Sequence, residues 1–139
     1  MVLSLDVNLW AVLLCGVIAM ILGSLWYSPL LFGNMWMAEL GFTKKSMEEM
    51  KGEMTKTYIL TFLGSLVMAY VLAHVVSFAN AKSALEGALV GFWLWLGFIV
   101  TYGLGGVLFE KRPATVFLIS IGYQLVSVLI FGAVLAVWA

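Results

Sequence analysis

Long apolar stretches alternate with shorter polar ones along the chain, and this alternation predicts its elements. Four stretches are each long enough to cross a bilayer as a helix, which takes about 20 residues. They cover residues 9–27, 58–78, 85–108 and 114–137, and residues 29–57 form the one long loop. The pattern therefore predicts an all-α integral membrane four-helix bundle that forms a single transmembrane domain over residues 1–139.

The end of the first apolar stretch departs from this simple pattern. Pro29 lacks the N–H that continues a helix, and it disfavours helical geometry at Ser28. The chain nevertheless stays apolar and aromatic beyond the proline. Trp26, Tyr27 and Trp36 have amphipathic rings that suit the headgroup layer of a membrane. We therefore expect the first helix to stop at Pro29, with its continuation lying at the membrane surface.

The long loop contains signals for a short interfacial helix. Asn34 is a favourable residue before a helix, and Gly41 is a favourable residue after one. Between them, Met35–Leu40 is predicted to form a short helix in the membrane interface.

A second, cytoplasmic helix is predicted further along the same loop. Ser46 and Glu49 have the spacing of a capping box, which predicts a helix that begins at Met47 and runs into the second span. Met47, Met50 and Met54 then form one apolar stripe along this helix. Such a stripe fits packing on the bundle or the docking of a partner helix.

Composition and charge narrow the classes of protein that fit. The chain is 64% hydrophobic and 10% charged, whereas about 25% is typical of soluble domains. Its formal net charge is zero, so nothing indicates a nucleic-acid partner. Lysine and arginine concentrate on the cytoplasmic side of inserted helices. Six lie in the first and third loops, against Lys82 alone on the other side. This predicts a multi-pass protein of the bacterial inner membrane with both termini outside.

Polar side chains inside the spans are the candidate functional residues, because hydrocarbon offers them no water. They recur at helical spacing in the second and fourth spans. The set comprises Tyr70, His74 and Ser77 in one span and Ser120, Tyr123, Gln124 and Ser127 in the other. These stripes fit either the lining of a solute path or hydrogen bonds between helices. His74 fits either a proton relay or an interfacial hydrogen-bonding group.

Small residues in the spans predict close helix packing. Gly87 and Gly91 form a GxxxG match in the third span, and Gly97, Thr101 and Gly105 continue that face. The second span has a similar face at Ser65, Ala69, Ala73 and Ser77. Such faces let neighbouring backbones approach closely, so we expect them to serve packing or assembly into a homo-oligomer.

The run from Trp26 to Trp36 also carries a family resemblance. It contains Trp26-Tyr27-Ser28-Pro29, then Phe32 and Gly33, and finally Trp36, in the pattern WYSP-x-LFG-x-x-W. With the Leu108-Phe109-Glu110 turn and Gly122-Tyr123, this resembles a family of small bacterial membrane proteins catalogued as a domain of unknown function. The resemblance implies a four-helix inner-membrane protein, and it brings no catalytic residues with it.

The residues favour transport or permeation of a small solute or ion by a homo-oligomer, slightly above one alternative. That alternative is a membrane scaffold or regulatory subunit that binds a partner through the WYSP surface and the cytoplasmic helix. An intramembrane enzyme is disfavoured, because the lone histidine has no acidic residue near its depth and no nucleophile elbow is present. No cofactor and no metal site are predicted, and the lipid bilayer is the one certain partner.

Overall fold

The computed structural model describes residues 7–41, 44–49 and 51–138. Within them the chain forms helices and no strands. The helices are α1 (Leu9–Trp26), α2 (Gly33–Leu40), α3 (Lys44–Glu49), α4 (Lys51–Phe78), α5 (Ala84–Leu94), a π-helical segment (Trp95–Val100), α6 (Thr101–Leu108) and α7 (Ala114–Val137).

Four of these elements are long and apolar enough to cross a membrane, namely α1, α4, the continuous run from α5 to α6, and α7. Large apolar side chains stay exposed along them, including Val67 at 63% and Trp93 at 64%. Contiguous apolar surface on this scale is rare on a soluble monomer and is what lipid covers. The predicted all-α membrane bundle is therefore confirmed.

Helix α7 lies at the centre of the bundle and contacts α1, α4, α5, α6 and the π-helical segment. Its most extensive contact is with α5, where glycines let the two backbones meet. A Cβ at Gly87 would collide with the carbonyl of Gly132, and one at Gly91 would collide with the carbonyl of Val128. The Gly87–Gly91 pair is thus occupied within the chain and cannot also hold a second copy, as an assembly surface would require.

The second close contact joins α1 to α4. Ala11, Cys15 and Ala19 on α1 are at most 2% exposed, and Ala69 on α4 is fully buried. Small side chains at helical spacing allow this approach, since the backbones can come together without a gap. The small face of α4 therefore serves packing inside the chain at Ala69.

The π-helical segment interrupts the third span near its middle. The Trp95 indole N–H donates to the Ile121 carbonyl on α7 at 2.8 Å. At the end of the segment the Thr101 backbone N–H bonds to Phe98, and the Thr101 hydroxyl donates to the Gly97 carbonyl at 2.7 Å. The Thr101 hydroxyl is thus satisfied within its own helix, as a polar group in lipid requires.

The loop helices differ in detail from the expectation. Helix α2 begins at Gly33 and not at Met35, because the chain after Pro29 already turns into helical bonding, with the Trp36 N–H donating to the Phe32 carbonyl at 2.9 Å. Its predicted end at Gly41 is confirmed by a left-handed φ of 74° there, a conformation that favours glycine.

Helix α3 begins at Lys44 and not at the predicted Met47. Lysine is a good helix former, so the helix extends back over the residues before the capping-box spacing. The side chains of Ser46 and Met47, and all of Met50, lie outside the described residues. The predicted capping box and methionine stripe therefore stay predictions.

The α5–α7 contact yields a stability test. Gly87→Val should lower the free energy of unfolding by about 1–3 kcal/mol, because the added side chain overpacks a backbone contact. Cys15 is the only cysteine and is buried, so a thiol-reactive dye in detergent reports melting. Gly105→Ala is the matched control, since a Cβ there meets open space. Equal melting of the two variants would contradict this account of the interface.

Candidate functional site

The polar stripe of α7 lies where α1, α4 and the π-helical segment converge on that helix. The Tyr123 hydroxyl donates to the Ala19 carbonyl of α1 at 2.8 Å. The Tyr27 hydroxyl, at the end of α1, lies 3.5 Å from Ser120 Oγ. These two side chains of the stripe therefore serve as bonds between helices, which is one of the two roles expected for it.

Gln124 behaves differently from Tyr123 beside it. Its carboxamide makes no hydrogen bond with any residue of the described ranges. The side chain is half-buried and faces two openings in the bundle. An amide transferred from water without compensating bonds costs about 1–3 kcal/mol in proteins. Gln124 is therefore not explained as an interhelical bond.

The first opening, the inner cavity, lies between α1, α4 and α7 and has a volume of about 280 Å³. Its polar lining comes from α4 and α7. The residues around it are Ala19, Thr61, Gly64, Ser65, Met68, Tyr123, Gln124, Ser127 and Phe131. No charged side chain is among them. The cavity is open to the surface of the bundle at Thr61 and Gly64, which are exposed, and its wall carries hydroxyl and amide groups and no charged side chain.

The second opening, the lateral crevice, has a volume of about 340 Å³ and lies beside the π-helical segment, α6 and α7. Apolar and aromatic side chains dominate its wall, with Arg112 in the lining where α7 begins. Arg112 Nε lies 2.9 Å from a Glu110 carboxylate oxygen, and both side chains are mostly exposed. Met68 and Gln124 line both openings, so these two side chains lie between the two spaces.

Ser127 is the second unpartnered polar group of the inner cavity. It is 2% exposed, and its Oγ has no hydrogen-bond partner within the described residues. Tyr123 lies one helical turn earlier, and its hydroxyl is near enough to Ser127 Oγ for a weak hydrogen-bonding interaction, but the two do not form a hydrogen bond of full geometry. Buried hydroxyls are normally bonded. An exception beside the unpartnered Gln124 marks this cavity as the candidate site.

The polar stripe predicted on α4 is not brought to this site. Tyr70 is 44% exposed on the outside of the bundle. His74 lies against the Tyr70 ring at 4.8 Å and the Phe78 ring at 6.3 Å, as part of an aromatic row. Ser77 lines a separate small pocket of about 60 Å³ near Asn8. The α4 residues that line the inner cavity are instead Thr61, Gly64, Ser65 and Met68.

The corner between α1 and α2, residues 27–32, is closed by local hydrogen bonds around Ser28. Ser28 Oγ donates to the Leu25 carbonyl at 2.6 Å, and the Gly33 N–H donates to the Ser28 carbonyl at 2.8 Å. The Phe32 N–H donates to the Trp26 carbonyl at 3.0 Å. A Cβ at Gly33 would collide with the backbone of residues 27 and 28. This position therefore admits only glycine without rearrangement.

The aromatic rings of the corner turn towards α7. The Trp26 indole N–H donates to the Ile119 carbonyl at 2.9 Å. Trp26 and Phe32 lie 4.9 Å apart between ring centroids, and Tyr27 and Trp36 lie 5.4 Å apart. A Cβ at Gly23 would contact the Tyr123 hydroxyl at 3.2 Å. The corner thus packs its WYSP aromatic residues within the chain, beside the polar stripe.

The corner and the start of α2 expose apolar side chains. Leu30 is 83% exposed, Leu31 53% and Met35 52%. Together with the predicted helix stop, this agrees with an anchor at the membrane interface. The rings named in the alternative hypothesis as a partner-binding surface are occupied by contacts with α7 and with each other.

Sequence reasoning missed the α4 side of the site. Thr61 and Ser65 are one turn apart, and Met68 follows on the same face. Their spacing was a usable signal, but Tyr70 and His74 form a more conspicuous stripe. Trp95 was also missed, because a tryptophan in an apolar span gives no sign that it will bond to a particular carbonyl.

Comparison with known proteins identifies the family to which the chain belongs but indicates no activity. The chain matches the model of the family described as "Protein of unknown function (DUF1761)" over residues 10–136 and belongs to that family. The resemblance to a family of unknown function is therefore confirmed. No curated protein and no solved structure matches the chain.

The neighbouring residues Gln124 and Tyr123 should respond to mutation with opposite signs. Gln124→Leu should raise the free energy of unfolding by about 1 kcal/mol, because it removes an unpartnered amide. Tyr123→Phe should lower it by about 1 kcal/mol through loss of the bond to Ala19. Melting in detergent, read through dye labelling of Cys15, measures both. Destabilisation by Gln124→Leu would show that this amide has a structural partner.

Proposed function

For this member of the DUF1761 family, we propose transport or permeation of a small solute across the membrane, with Gln124 as the binding group midway. The observation that carries the proposal is the unpartnered Gln124 carboxamide, which lines both the inner cavity and the lateral crevice. At 1.5 Å per residue, Gln124 lies about 15 Å along α7 from its start at Ala114. That is near the middle of a hydrocarbon core about 30 Å thick.

The arrangement of the two openings supports the same proposal. The lateral crevice reaches from Arg112, at the loop end of the bundle, to Gln124 and Met68. The inner cavity continues from these residues to Ser127 and Phe131. Polar groups thus follow one another along α7 on both sides of the mid-membrane position. A solute that exchanges its hydration for these groups meets a lower barrier than in bare lipid.

Assembly as a homo-oligomer is part of the proposal. Helix α4 packs on α1, α7 and α5, and has no comparable contact with α6. The crevice wall in this region includes Phe98, 69% exposed, and Tyr102, 88% exposed. On the third span, Gly97 and Gly105 have open space where a Cβ would stand. A second copy seated here would close the crevice on its lipid side.

Placement in the bacterial inner membrane with both termini outside is also proposed. The basic residues described at the loop end include Lys45, Lys56 and Arg112, and Lys82 is at the opposite end. The asymmetry follows the distribution that orients inserted helices. The crevice mouth at Arg112 would then open on the cytoplasmic side.

A non-transporting scaffold is the competing function. Its remaining support is the apolar tip at Leu30, Leu31 and Met35, which a lipid interface also explains. Its second surface, the methionine stripe, includes residues outside the described ranges. The cavity residues have no role in that function.

Flux measurements test the transport proposal. Purified protein in sealed liposomes should raise permeability to at least one small solute above that of protein-free vesicles. Gln124→Leu should reduce the added permeability roughly tenfold, as expected for losing one or two solute hydrogen bonds of about 1 kcal/mol each.

The matched control for flux is Tyr70→Phe, which removes a hydroxyl from the outer surface of the same bundle. This variant should keep wild-type flux. If the protein added no permeability to any solute in a panel of neutral and charged solutes, the transport proposal would be overturned. Equal loss in both variants would show that the effect is not specific to the cavity.

Orientation is tested with cysteines introduced at the two ends of the bundle in a Cys15→Ala background. Lys82→Cys should react with a membrane-impermeant maleimide on intact cells, because it lies in the exposed turn before α5. Lys45→Cys should react after permeabilisation only. The reverse pattern would invert the proposed topology.

A further inference from the structure

We infer that the inner cavity selects small neutral solutes that are rich in hydrogen-bond donors, such as polyols and simple amides. This inference rests on the proposed function for the passage of the solute, but the selectivity follows from the cavity wall alone. That wall is defined by its polar groups Thr61, Ser65, Tyr123, Gln124 and Ser127.

Two of these hydroxyls already donate hydrogen bonds to backbone carbonyls. Ser65 Oγ donates to the Thr61 carbonyl at 3.0 Å, and the Tyr123 hydroxyl donates to the Ala19 carbonyl at 2.8 Å. A hydroxyl has one hydrogen and two lone pairs. Both oxygens are therefore left with acceptor capacity only, and a solute must bring donors to use it.

Gln124 and Ser127 add groups without a hydrogen bond of full geometry to any described residue. The Gln124 carboxamide offers an acceptor oxygen and two N–H donors, and no described residue bonds to it. Ser127 Oγ is buried without a partner. A solute with hydroxyl or amide groups satisfies both, whereas an apolar solute leaves them unpaired.

The rest of the wall disfavours charged solutes in the inner cavity. Among the described residues no Asp, Glu, Lys, Arg or His lines the inner cavity, and the remaining members of its wall are Ala19, Gly64, Met68 and Phe131. An ion without a counter-charge in such surroundings is strongly disfavoured against water. Arg112 lines the other opening, and its charge is paired with the carboxylate of Glu110. The wall therefore rejects anions and cations alike.

The size of the cavity favours a small solute. Its volume is about 280 Å³, enough for several water molecules. Glycerol and urea are small enough for a space of this volume. A disaccharide is not.

The first test compares solutes in liposomes by light scattering after an osmotic step. Wild-type protein should accelerate glycerol and urea entry, and it should leave potassium and formate at the protein-free rate. Ser127→Ala should reduce glycerol and urea entry severalfold while Tyr70→Phe leaves it unchanged. Ion flux without glycerol or urea flux would overturn the selectivity and leave transport standing. Silence towards every solute would overturn transport.

The second test measures how reagents reach the cavity and does not depend on flux. Ser127→Cys in a Cys15→Ala background is treated with methanethiosulfonates that are neutral, anionic or cationic, and labelling is measured by mass spectrometry. These reagents attack thiolates, which form where water reaches. The neutral reagent should react roughly tenfold faster than either charged one, as exclusion of unpaired charge requires. Glycerol should slow the reaction of the neutral reagent with the introduced cysteine.

Lys82→Cys in the same background is the exposed control and should react with all three reagents at similar rates. Equal rates at Ser127→Cys, or no reaction there, would overturn the inference. Neutral-selective, glycerol-protected labelling in a protein that is silent in liposomes would uphold the binding class and overturn transport. The two proposals thus fail by different observations.

Discussion

The bundle depends on one constraint: a polar group in hydrocarbon has no water to bond, so it must find a partner inside the protein. Three aromatic side chains meet this constraint by donating to backbone carbonyls of a neighbouring helix. Trp26 bonds to Ile119, Trp95 bonds to Ile121, and Tyr123 bonds to Ala19. Because all three bonds involve α7, they tie α1 and the π-helical segment to one level of the central helix. This places the polar stripe of α7 at a fixed position between its neighbours.

The same constraint accounts for the corner after α1. A chain that stops being helical near Pro29 exposes backbone groups at the edge of the membrane, and these must be bonded locally. Ser28 meets most of this need, since its hydroxyl and carbonyl bond to Leu25 and Gly33. The close return of Gly33 then brings Phe32 against Trp26. The WYSP motif therefore forms a compact helix end, and its aromatic side chains pack on α7.

The sequence predicts elements better than it predicts which side chains meet. Hydropathy and length determine the spans, because each span must match the bilayer by itself. The Gly87–Gly91 spacing also points to a close helix contact, but not to α7 as its partner. Whether Gln124 faces Ser65 or Tyr70 depends on how far α4 is rotated about its axis, which is a property of the packed pair. The partner of Trp95 was not predicted for a similar reason, since its bond to α7 forms in the folded bundle only.

Gln124 and Ser127 are informative because they lack full hydrogen bonds, whereas Ser65 and Tyr123 beside them donate to backbone carbonyls. If packing alone had shaped this region, leucine or alanine would serve as well at these positions and without the cost of unbonded groups. Local rules are expected to fail mainly at functional or strained positions. Here the backbone of α7 is regular helix through both residues, so strain does not account for the exceptions. Both side chains line the same neutral cavity, and a ligand that completes their bonds gives a single physical reason for both.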